Sequence, residues 1–336
     1  MRSTLLAALL ALTPVSALAA TCGGSFNAFK QGLIAEAPKH GVSADIATKF
    51  LAGVRADPAV LRADHSQGVF QRPFVDFSRR LISNDRISRG RANGQKYNSI
   101  FDRIKKNYGV DRGVLLAFWA GEIGMVQMLP RDIIENGTDG DGDGHVYLKT
   151  SAPDALMSGG KMLKSLGWRK GEPWIDEVIV PDDFDWSLTG LETTKRASDW
   201  AKLGVKPRDG RLANLPASLI LPQGRKGPAF LTYPNFNVYF EWNQSFTYVL
   251  TAAYFATRLN GAQDYDAGNP EQGLSGNQMK RLQKALQKRG NDVGKVDGIL
   301  GANTRKAVQR EQQRLGVPAD AWPTPALLSK LEGRQP

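Results

Sequence analysis

The spacing of apolar residues predicts a mostly helical chain. Phe29, Leu33 and Ile34 recur at helical intervals near the start, and an unbroken apolar run over 114–119 predicts a buried helix. Further helices are expected over 44–54, 95–108, 152–166, 191–203 and 242–259. Most of the first 260 residues should therefore form one helical domain.

Two regions depart from the helical pattern and predict a small β element. Val178-Ile-Val180 has the composition of a strand, and 219–224 with 229–233 predict a hairpin. Segment 261–275 is rich in Gly, Asp, Asn and Pro, which is typical of a linker. Three short helices follow it. The predicted fold is mainly α: a large helical domain with a small β element, and a small three-helix C-terminal module.

The N-terminus has the parts of a secretory signal peptide. Arg2 is followed by an apolar segment over 5–12 and by Ala17-Leu-Ala19, a small-residue cleavage site. That apolar segment is too short to cross a hydrocarbon core of about 30 Å. We therefore predict an exported protein with no transmembrane span. The predicted boundaries are a signal peptide at 1–20, a main domain at 21–262, a linker at 263–272 and a module at 273–333.

Cys22 is the only cysteine in the chain. The triplet Ala19-Ala20-Thr21 before it is a poor lipidation signal, so we expect a soluble exported protein rather than a lipoprotein. In an oxidising compartment this thiol has no partner within the chain.

The net charge of +11 points to a polyanionic partner. Nucleic acid, an anionic membrane surface and an anionic cell-wall polymer are the candidates. Nucleic acid is not expected as the partner, because the chain is predicted to be exported and has no recognised nucleic-acid module. A solvated basic surface with no partner stays open as the alternative.

Three acids have the spacing of a calcium-binding loop. Asp139, Asp141 and Asp143 occupy its first, third and fifth positions, Gly144 stands at the sixth, and His145 offers a backbone carbonyl at the seventh. Spaced carboxylates repel one another without a cation. The loop therefore predicts a structural calcium ion, with a solvated Asp-Gly turn as the alternative.

The twelfth position of this loop departs from the calcium pattern. A bidentate Glu is expected there, and this chain has Thr150. Asp154, at the head of the next predicted helix, could fold back and complete the ligand set.

The C-terminal module resembles the bacterial peptidoglycan-binding domain over 273–332. The resemblance is carried by Leu282-Gln283, Val296-Asp-Gly-Ile-Leu-Gly301, Thr304-Arg305 and Leu315-Gly316. Most of these residues suit turns and helix starts and are expected to be structural rather than ligand contacts.

The central part is similar to the membrane-bound lytic murein transglycosylase B family of the lysozyme-like superfamily. The resemblance rests on Leu115-Leu-Ala-Phe-Trp119, on 120–130, on the Asp loop, on Leu166-Gly-Trp168 and on 242–248. It implies an enzyme that cuts the β-1,4 bond between N-acetylmuramic acid and N-acetylglucosamine, leaves a 1,6-anhydro end and needs no cofactor for chemistry. It also implies a periplasmic location, peptidoglycan strands as substrate and other cell-wall enzymes as candidate partners.

This chemistry needs a single carboxylic acid. The acid protonates the glycosidic oxygen and then, as a carboxylate, takes a proton from the muramic 6-hydroxyl. The second carboxylate of ordinary glycosidases is dispensable because the sugar supplies its own nucleophile. Glu122, three residues after Trp119, has the spacing of the family's catalytic glutamate.

Two family motifs are fused at Glu122. In the family some tens of residues separate the catalytic Glu from a Gly-x-x-Gln motif, but here Gly124-Met-Val-Gln127 follows at once. Either Glu122 takes the catalytic place, or it belongs to the second motif and the catalytic Glu was deleted. In related chains the intervening part holds a second cysteine, which would explain the unpaired Cys22.

The resemblance assigns substrate contacts elsewhere. Gln127 matches an amide that hydrogen-bonds the glycan. Asn243, Ser245 and Tyr248 match an element that lines the cleft, and Trp242 replaces its first Tyr, keeping a ring and losing a hydroxyl.

Three functions remain open from the sequence. The first is a peptidoglycan lytic transglycosylase, and the second is a non-catalytic peptidoglycan-binding protein that lost the catalytic segment. The third is a hydrolytic muramidase, which would need a second acid across the cleft from Glu122.

Overall fold

The structure is a computed structural model that describes residues 24–59, 72–121 and 128–333. The predicted signal peptide, Cys22, Glu122 and Gln127 lie outside the described residues. Within those three ranges, no helix combines the length and the apolar character that a membrane span requires.

The chain divides into two compact units, 1–67 and 68–336. The first contains α1 (Phe26–Glu36), a 3₁₀ turn (Ala37–His40) and α2 (Ala44–Ala52). Both helices begin at a serine: the Ser25 Oγ accepts a bond from the Ala28 N–H, and the Ser43 Oγ accepts one from the Ile46 N–H. These are N-caps, which satisfy amides that have no partner inside the helix.

The second unit is mostly helical. Its helices are α3 (Phe74–Leu81), α4 (Asn84–Lys96), α5 (Asn98–Tyr108), α6 (Arg112–Gly121), α7 (Pro130–Asn136), α8 (Ala152–Ser165), α9 (Ala197–Lys202), α10 (Pro234–Trp242), α11 (Phe246–Leu259), α12 (Gly276–Lys288), α13 (Ala302–Arg314) and α14 (Pro325–Leu331). The mainly α prediction is confirmed.

The β element is a five-stranded antiparallel sheet. Its strands are β1 (Ile175–Ile179), β2 (Thr194–Arg196), β3 (Lys206–Pro207), β4 (Pro216–Ile220) and β5 (Ala229–Thr232), in the order β2-β4-β5-β1-β3. The predicted hairpin is confirmed as β4 paired with β5, where Leu219 lies opposite Leu231. The predicted strand near Val178 is β1, which extends the sheet beyond the hairpin.

The core of the second unit forms where α6 packs along α11. On α6, residues 114–118 are all buried, as the apolar run predicts. On α11 the buried set covers almost the whole helix, from Phe246 to Leu259. A helix that is apolar on nearly every face belongs inside a domain, so these two helices are the centre around which α3, α4, α5 and α8 are arranged.

Two helix predictions are partly wrong. The segment 191–203 begins as β2, because Thr194 and Lys195 pair with Ser218 and Ala217 on β4, and only 197–202 is helical. The predicted helix over 242–259 is broken after Trp242. Ser245 then caps a new helix, so that cap overrides the apolar spacing.

The segment expected to be a linker is fixed to the main domain. Tyr265 is buried, and its hydroxyl lies 2.8 Å from the Ser78 Oγ. The Asn269 N–H donates to the Lys226 carbonyl, and the Trp322 Nε1 donates to the Glu271 carbonyl. The C-terminal module is therefore docked on the main domain rather than suspended from it.

Arg305 on α13 is the main cation in this docking interface. Its Cζ lies 4.4 Å from the centre of the Phe246 ring, and its Nη2 donates to the Pro222 carbonyl at 2.6 Å. Burial lowers the pKa of Arg305 to about 9, so the guanidinium is still charged at neutral pH. The module is held by a cation that stacks on the first residue of α11 and binds the chain just after β4.

Replacing Arg305 by Ala should destabilise the protein by about 2–3 kcal/mol, because a stacked cation and its charged hydrogen bonds are lost together. Thermal and urea unfolding of the full chain measure the loss. Arg310→Ala, at an exposed position on the same helix, should stay within about 0.5 kcal/mol of the wild type. Equal effects of the two changes would contradict the role assigned to Arg305.

Candidate functional site

Aromatic rings surround the carboxyl end of α6. Trp119, in the last turn, is half-buried, and its ring centre lies 5.7 Å from that of Tyr97, which lies between α4 and α5. The neighbouring Phe118 stacks on Trp242, with ring centres 4.5 Å apart and planes 23° apart. The ends of α6 and α10 therefore meet, and their rings form an aromatic platform.

The turn between α10 and α11 is built by two of the predicted substrate contacts. The Asn243 Oδ1 accepts a bond from the Ser245 N–H at 2.8 Å, and the Ser245 Oγ accepts one from the Tyr248 N–H at 3.4 Å. The carbonyl of Asn243 and the hydroxyl lone pair of Ser245 are thus used locally. Both residues are half-buried, and each also carries a donor, the Asn243 amide Nδ2 and the Ser245 O–H.

Trp242 and Tyr248 enclose this turn from both sides. Trp242 is half-buried and has one face on Phe118, whereas Tyr248 is buried in the main core. The structure thus brings Trp242, Asn243, Ser245 and Tyr248 together at one place. Glu122 and Gln127 fall outside the described residues, so their positions relative to this group stay predictions.

Tyr239 is a buried residue at this site that the sequence patterns did not single out. Its ring packs on Phe118 with centres 5.1 Å apart, and its side chain is inaccessible to solvent. Burial raises the pKa of its hydroxyl well above the usual value, with Asp111 and Tyr248 adding to the shift. The hydroxyl has no hydrogen-bond partner in the described part of the chain, which is costly for a buried polar group.

The predicted calcium loop brings its three acids together. One carboxylate oxygen from each of Asp139, Asp141 and Asp143 lies within 4.8 Å of the others. The N–H groups of Gly144 and Gly142 donate to Asp139 and hold the pKa of that carboxyl below its usual range. The three side chains offer the hard oxygen ligands that calcium prefers.

The glycines of this loop are required by its backbone. Gly142 and Gly144 have φ values of +86° and +87°, which disfavour other residues. A Cβ on Gly140 would lie 2.3 Å from the Pro153 carbonyl oxygen, because the loop passes close to the start of α8. The loop is therefore held close to the start of α8.

Asp154 has a different place from the three loop acids. It is fully buried, and its two oxygens accept bonds from the N–H groups of Gly140 and Tyr147 at 2.8 and 2.7 Å. It lies outside the three-acid cluster and stabilises the loop through these two backbone bonds. His145 is exposed, with its ring 5.5 Å from that of Tyr147.

The described acids with raised pKa values are occupied in the sheet. Burial raises the pKa of Asp176, and that carboxylate accepts a 2.7 Å bond from the Tyr233 hydroxyl. Burial also raises the pKa of Glu177, which pairs with Arg208 at 2.6 Å. Both have structural partners, so neither is an available second acid for a hydrolytic muramidase.

The ends of α6 and α10 combine an apolar ring platform with the polar donors of Asn243 and Ser245. Such a surface suits a sugar, whose ring has an apolar face and polar edges. Sequence patterns found the polar residues and included Phe118 in a motif and an apolar run, but they missed Tyr239. No local pattern that we used covers Tyr239.

Comparison with known families covers nearly the whole chain. The Transglycosylase SLT domain matches residues 25–122 and again 118–257, in two segments that overlap at 118–122. A peptidoglycan binding domain matches residues 275–331. A comparison with curated proteins found no match.

Solved structures give the same result. SltB3 from Pseudomonas aeruginosa, in complex with NAG-anhNAM-pentapeptide, is 32% identical with a TM-score of 0.77, covering 92% of this chain and 100% of that chain. Its complex with NAG-NAM-pentapeptide gives 32% and 0.76 over the same shares. Slt35 from Escherichia coli, solved with calcium, shares the fold at 19% identity and a TM-score of 0.54, covering 69% of this chain and 92% of that chain.

Tyr239→Phe should leave the free energy of unfolding unchanged or raise it by up to about 1 kcal/mol, because it removes a buried hydroxyl that has no partner. Tyr233→Phe is the matched change. It should cost about 2 kcal/mol, because it removes the donor to the buried Asp176 carboxylate. Urea unfolding of both variants measures the difference, and a larger loss for Tyr239→Phe would show that its hydroxyl is paired.

Proposed function

Since this chain belongs to the Transglycosylase SLT domain family, we propose that Glu122 serves it as the acid and then the base of peptidoglycan cleavage. The chain is a lytic transglycosylase, a lyase that acts on peptidoglycan. The observation that supports the proposal best is the similarity to SltB3, solved with an anhydro-sugar peptide. An anhydro end forms when the sugar's own hydroxyl, and not water, attacks the anomeric carbon.

The proposed reaction needs one proton-carrying group. The Glu122 carboxylic acid donates its proton to the oxygen that joins muramic C1 to the next N-acetylglucosamine, and the C1–O4 bond breaks. The 6-hydroxyl oxygen of the same muramic residue bonds to C1, and the Glu122 carboxylate takes the hydroxyl proton. The glutamic acid is thereby regenerated, and no cofactor or water is consumed.

Position along the chain supports Glu122 in this role. It follows directly after Gly121, the last residue of α6, whose end is enclosed by the rings of Trp119, Phe118 and Trp242. The first proton transfer requires the neutral form of the carboxyl group, which apolar surroundings favour in general. The described acids with raised pKa values, Asp176 and Glu177, are paired elsewhere.

The glycan contacts follow from the turn between α10 and α11. We assign stacking on a sugar face to Trp242, and hydrogen bonds to sugar hydroxyl or amide groups to Asn243 and Ser245. Tyr248 supports the turn from the core, and Gln127 supplies an amide from the segment after α6. The peptidoglycan-binding similarity of residues 275–331 supports the same substrate for the C-terminal module.

One observation favours a second candidate function. The family matches this chain in two segments that meet at 118–122, where the sequence fuses two motifs. A chain that lost the residues between them could keep glycan binding and lose cleavage. The unpartnered Tyr239 hydroxyl beside α6 is consistent with a missing neighbour.

Glu122→Gln should abolish the release of anhydromuropeptides from purified sacculi, with a fall of about 100-fold or more, because general acid–base groups contribute at least that much. Mass spectrometry of the digest measures the product. The control is Glu135→Gln, an exposed glutamate paired with Arg131 on α7, which should digest sacculi at the wild-type rate. Folded wild-type protein that binds sacculi without releasing product would establish the second candidate instead.

We assign a structural calcium ion to Asp139, Asp141 and Asp143, with the His145 carbonyl as a further ligand. Three carboxylates within 4.8 Å of one another repel, and a divalent cation removes that repulsion. Asp154 then acts behind the ion, because both of its oxygens hold loop amides. The ion would fix the loop between α7 and α8 and take no part in proton transfer.

Calcium at about 100 times its dissociation constant should stabilise the wild type by about 2.7 kcal/mol, and Asp143→Asn should remove most of that gain. Asn can still accept the bond from the His145 N–H, so the fold of the loop is kept. Asp209→Asn, at an exposed loop acid, is the control and should keep the full gain. Thermal unfolding with and without calcium tests this. Equal stabilisation of both variants by calcium would show that the ion does not bind at this loop.

The location and boundaries belong to the same proposal. A signal peptide at 1–20 would export the chain to the periplasm, a main domain at 21–262 would hold the catalytic site, and 273–333 would bind the wall. Other cell-wall enzymes are candidate partners there.

A further inference from the structure

One face of the C-terminal module is docked on the main domain. Three residues of α13 make the contact: Arg305 through Pro222, Lys306 through an ion pair with Glu192, and Gln309 through the Thr189 carbonyl at 2.7 Å. A cavity of about 310 Å³ lies along this contact. None of these bonds involves α12, and no residue of α12 lines the cavity.

The opposite helix of the module, α12, carries a row of lysines. Lys280, Lys284 and Lys288 are all exposed and follow one another at intervals of four residues, so they lie along one side of the helix. The row is about 12 Å long, at 1.5 Å of rise per residue. No acid occurs in α12, so these like charges repel one another along their own helix.

The two arginines beside the row differ from it. Arg281 pairs with Glu332, and the Arg289 Nη1 lies 3.6 Å from the Glu311 carboxylate. Among the residues that the structure describes, no carboxylate lies within 4.0 Å of the three lysine ammonium groups. A groove of about 470 Å³ runs between Lys284 and Lys288 and the end of α14. The row is thus an unneutralised cationic edge beside a concave surface.

The chemistry of α12 suits an anionic polymer rather than a bilayer. The large apolar residues of α12, which are Met279, Leu282 and Leu286, are buried in the module's own core. A helix that binds at a membrane interface needs an exposed apolar face to insert. The exposed residues of α12 are charged or polar.

We propose that Lys280, Lys284 and Lys288 bind the carboxylates of peptidoglycan stem peptides and so hold the wall on the exposed side of the module. The proposal rests on peptidoglycan being the substrate. Each exposed contact is weak and screened by salt, but three in a row act on a polymer that repeats its carboxylates. Binding through the row should therefore be multivalent and salt-sensitive.

The test compares two triple variants in full-length Glu122→Gln protein, so that the sacculi stay intact. One is Lys280→Gln/Lys284→Gln/Lys288→Gln. The control is Lys106→Gln/Lys164→Gln/Lys206→Gln, which removes the same charge from exposed positions of the main domain. Gln is as good a helix former as Lys, and matched thermal unfolding confirms that both variants fold.

Co-sedimentation with purified sacculi at low and at high salt is the readout. The row variant should bind at least 10-fold more weakly at low salt and lose most of its salt dependence, whereas the control should bind as the parent protein does. Amidation of the sacculus carboxylates should weaken the parent to the level of the row variant. Equal binding of both variants to sacculi would overturn the proposal. So would a row variant that binds phosphatidylglycerol vesicles more weakly but binds sacculi as the parent protein does.

Cleavage is measured separately, on short soluble glycan strands, in the Glu122 background. If both triple variants release anhydro product and sediment equally, the role of the lysine row is wrong and the proposed function stands. If sedimentation depends on the row but no variant cleaves the strands, the role of the row stands and the proposed role of Glu122 is wrong.

Discussion

The packing of α6 along α11 is the constraint on which the rest of the main domain depends. Both helices are apolar on most of their surface, so neither can exist apart from the other in water. Once they pair, the end of α6 lies against the start of α11. Trp119, Phe118, Trp242 and the turn at Asn243 are then neighbours, although more than a hundred residues separate the two ends along the chain.

Much of this architecture could be predicted from local patterns. The apolar run over 114–119, the hairpin near Leu219 and the three helices of the last sixty residues each reflect interactions between close neighbours in the sequence. The errors occurred where a distant partner or a single cap decides the outcome. Thr194 lies in a strand because it pairs with β4, which is distant in sequence. Ser245 caps a new helix and so interrupts the apolar helix predicted over 242–259.

The polar residues of the candidate site could be predicted from the sequence, but the residues that pack against them could not. Family motifs located Asn243, Ser245 and the three loop acids, because their chemistry limits which residues can stand there. The platform under Trp242 and the brace at Asp154 depend on contacts between helices that no local pattern records. The Tyr239 hydroxyl could be recognised as unpaired only when every neighbour of its buried oxygen was known.

The stacking of Arg305 on Phe246 has a consequence for how the two parts of the protein cooperate. A module on a flexible tether raises the local concentration of its ligand in every direction, by an amount set by linker length. A module fixed to the first residue of α11 instead has one distance and one angle from the end of α6. If the proposed roles hold, the packing of one guanidinium group would set the distance along the glycan between the bound position and the cleaved bond.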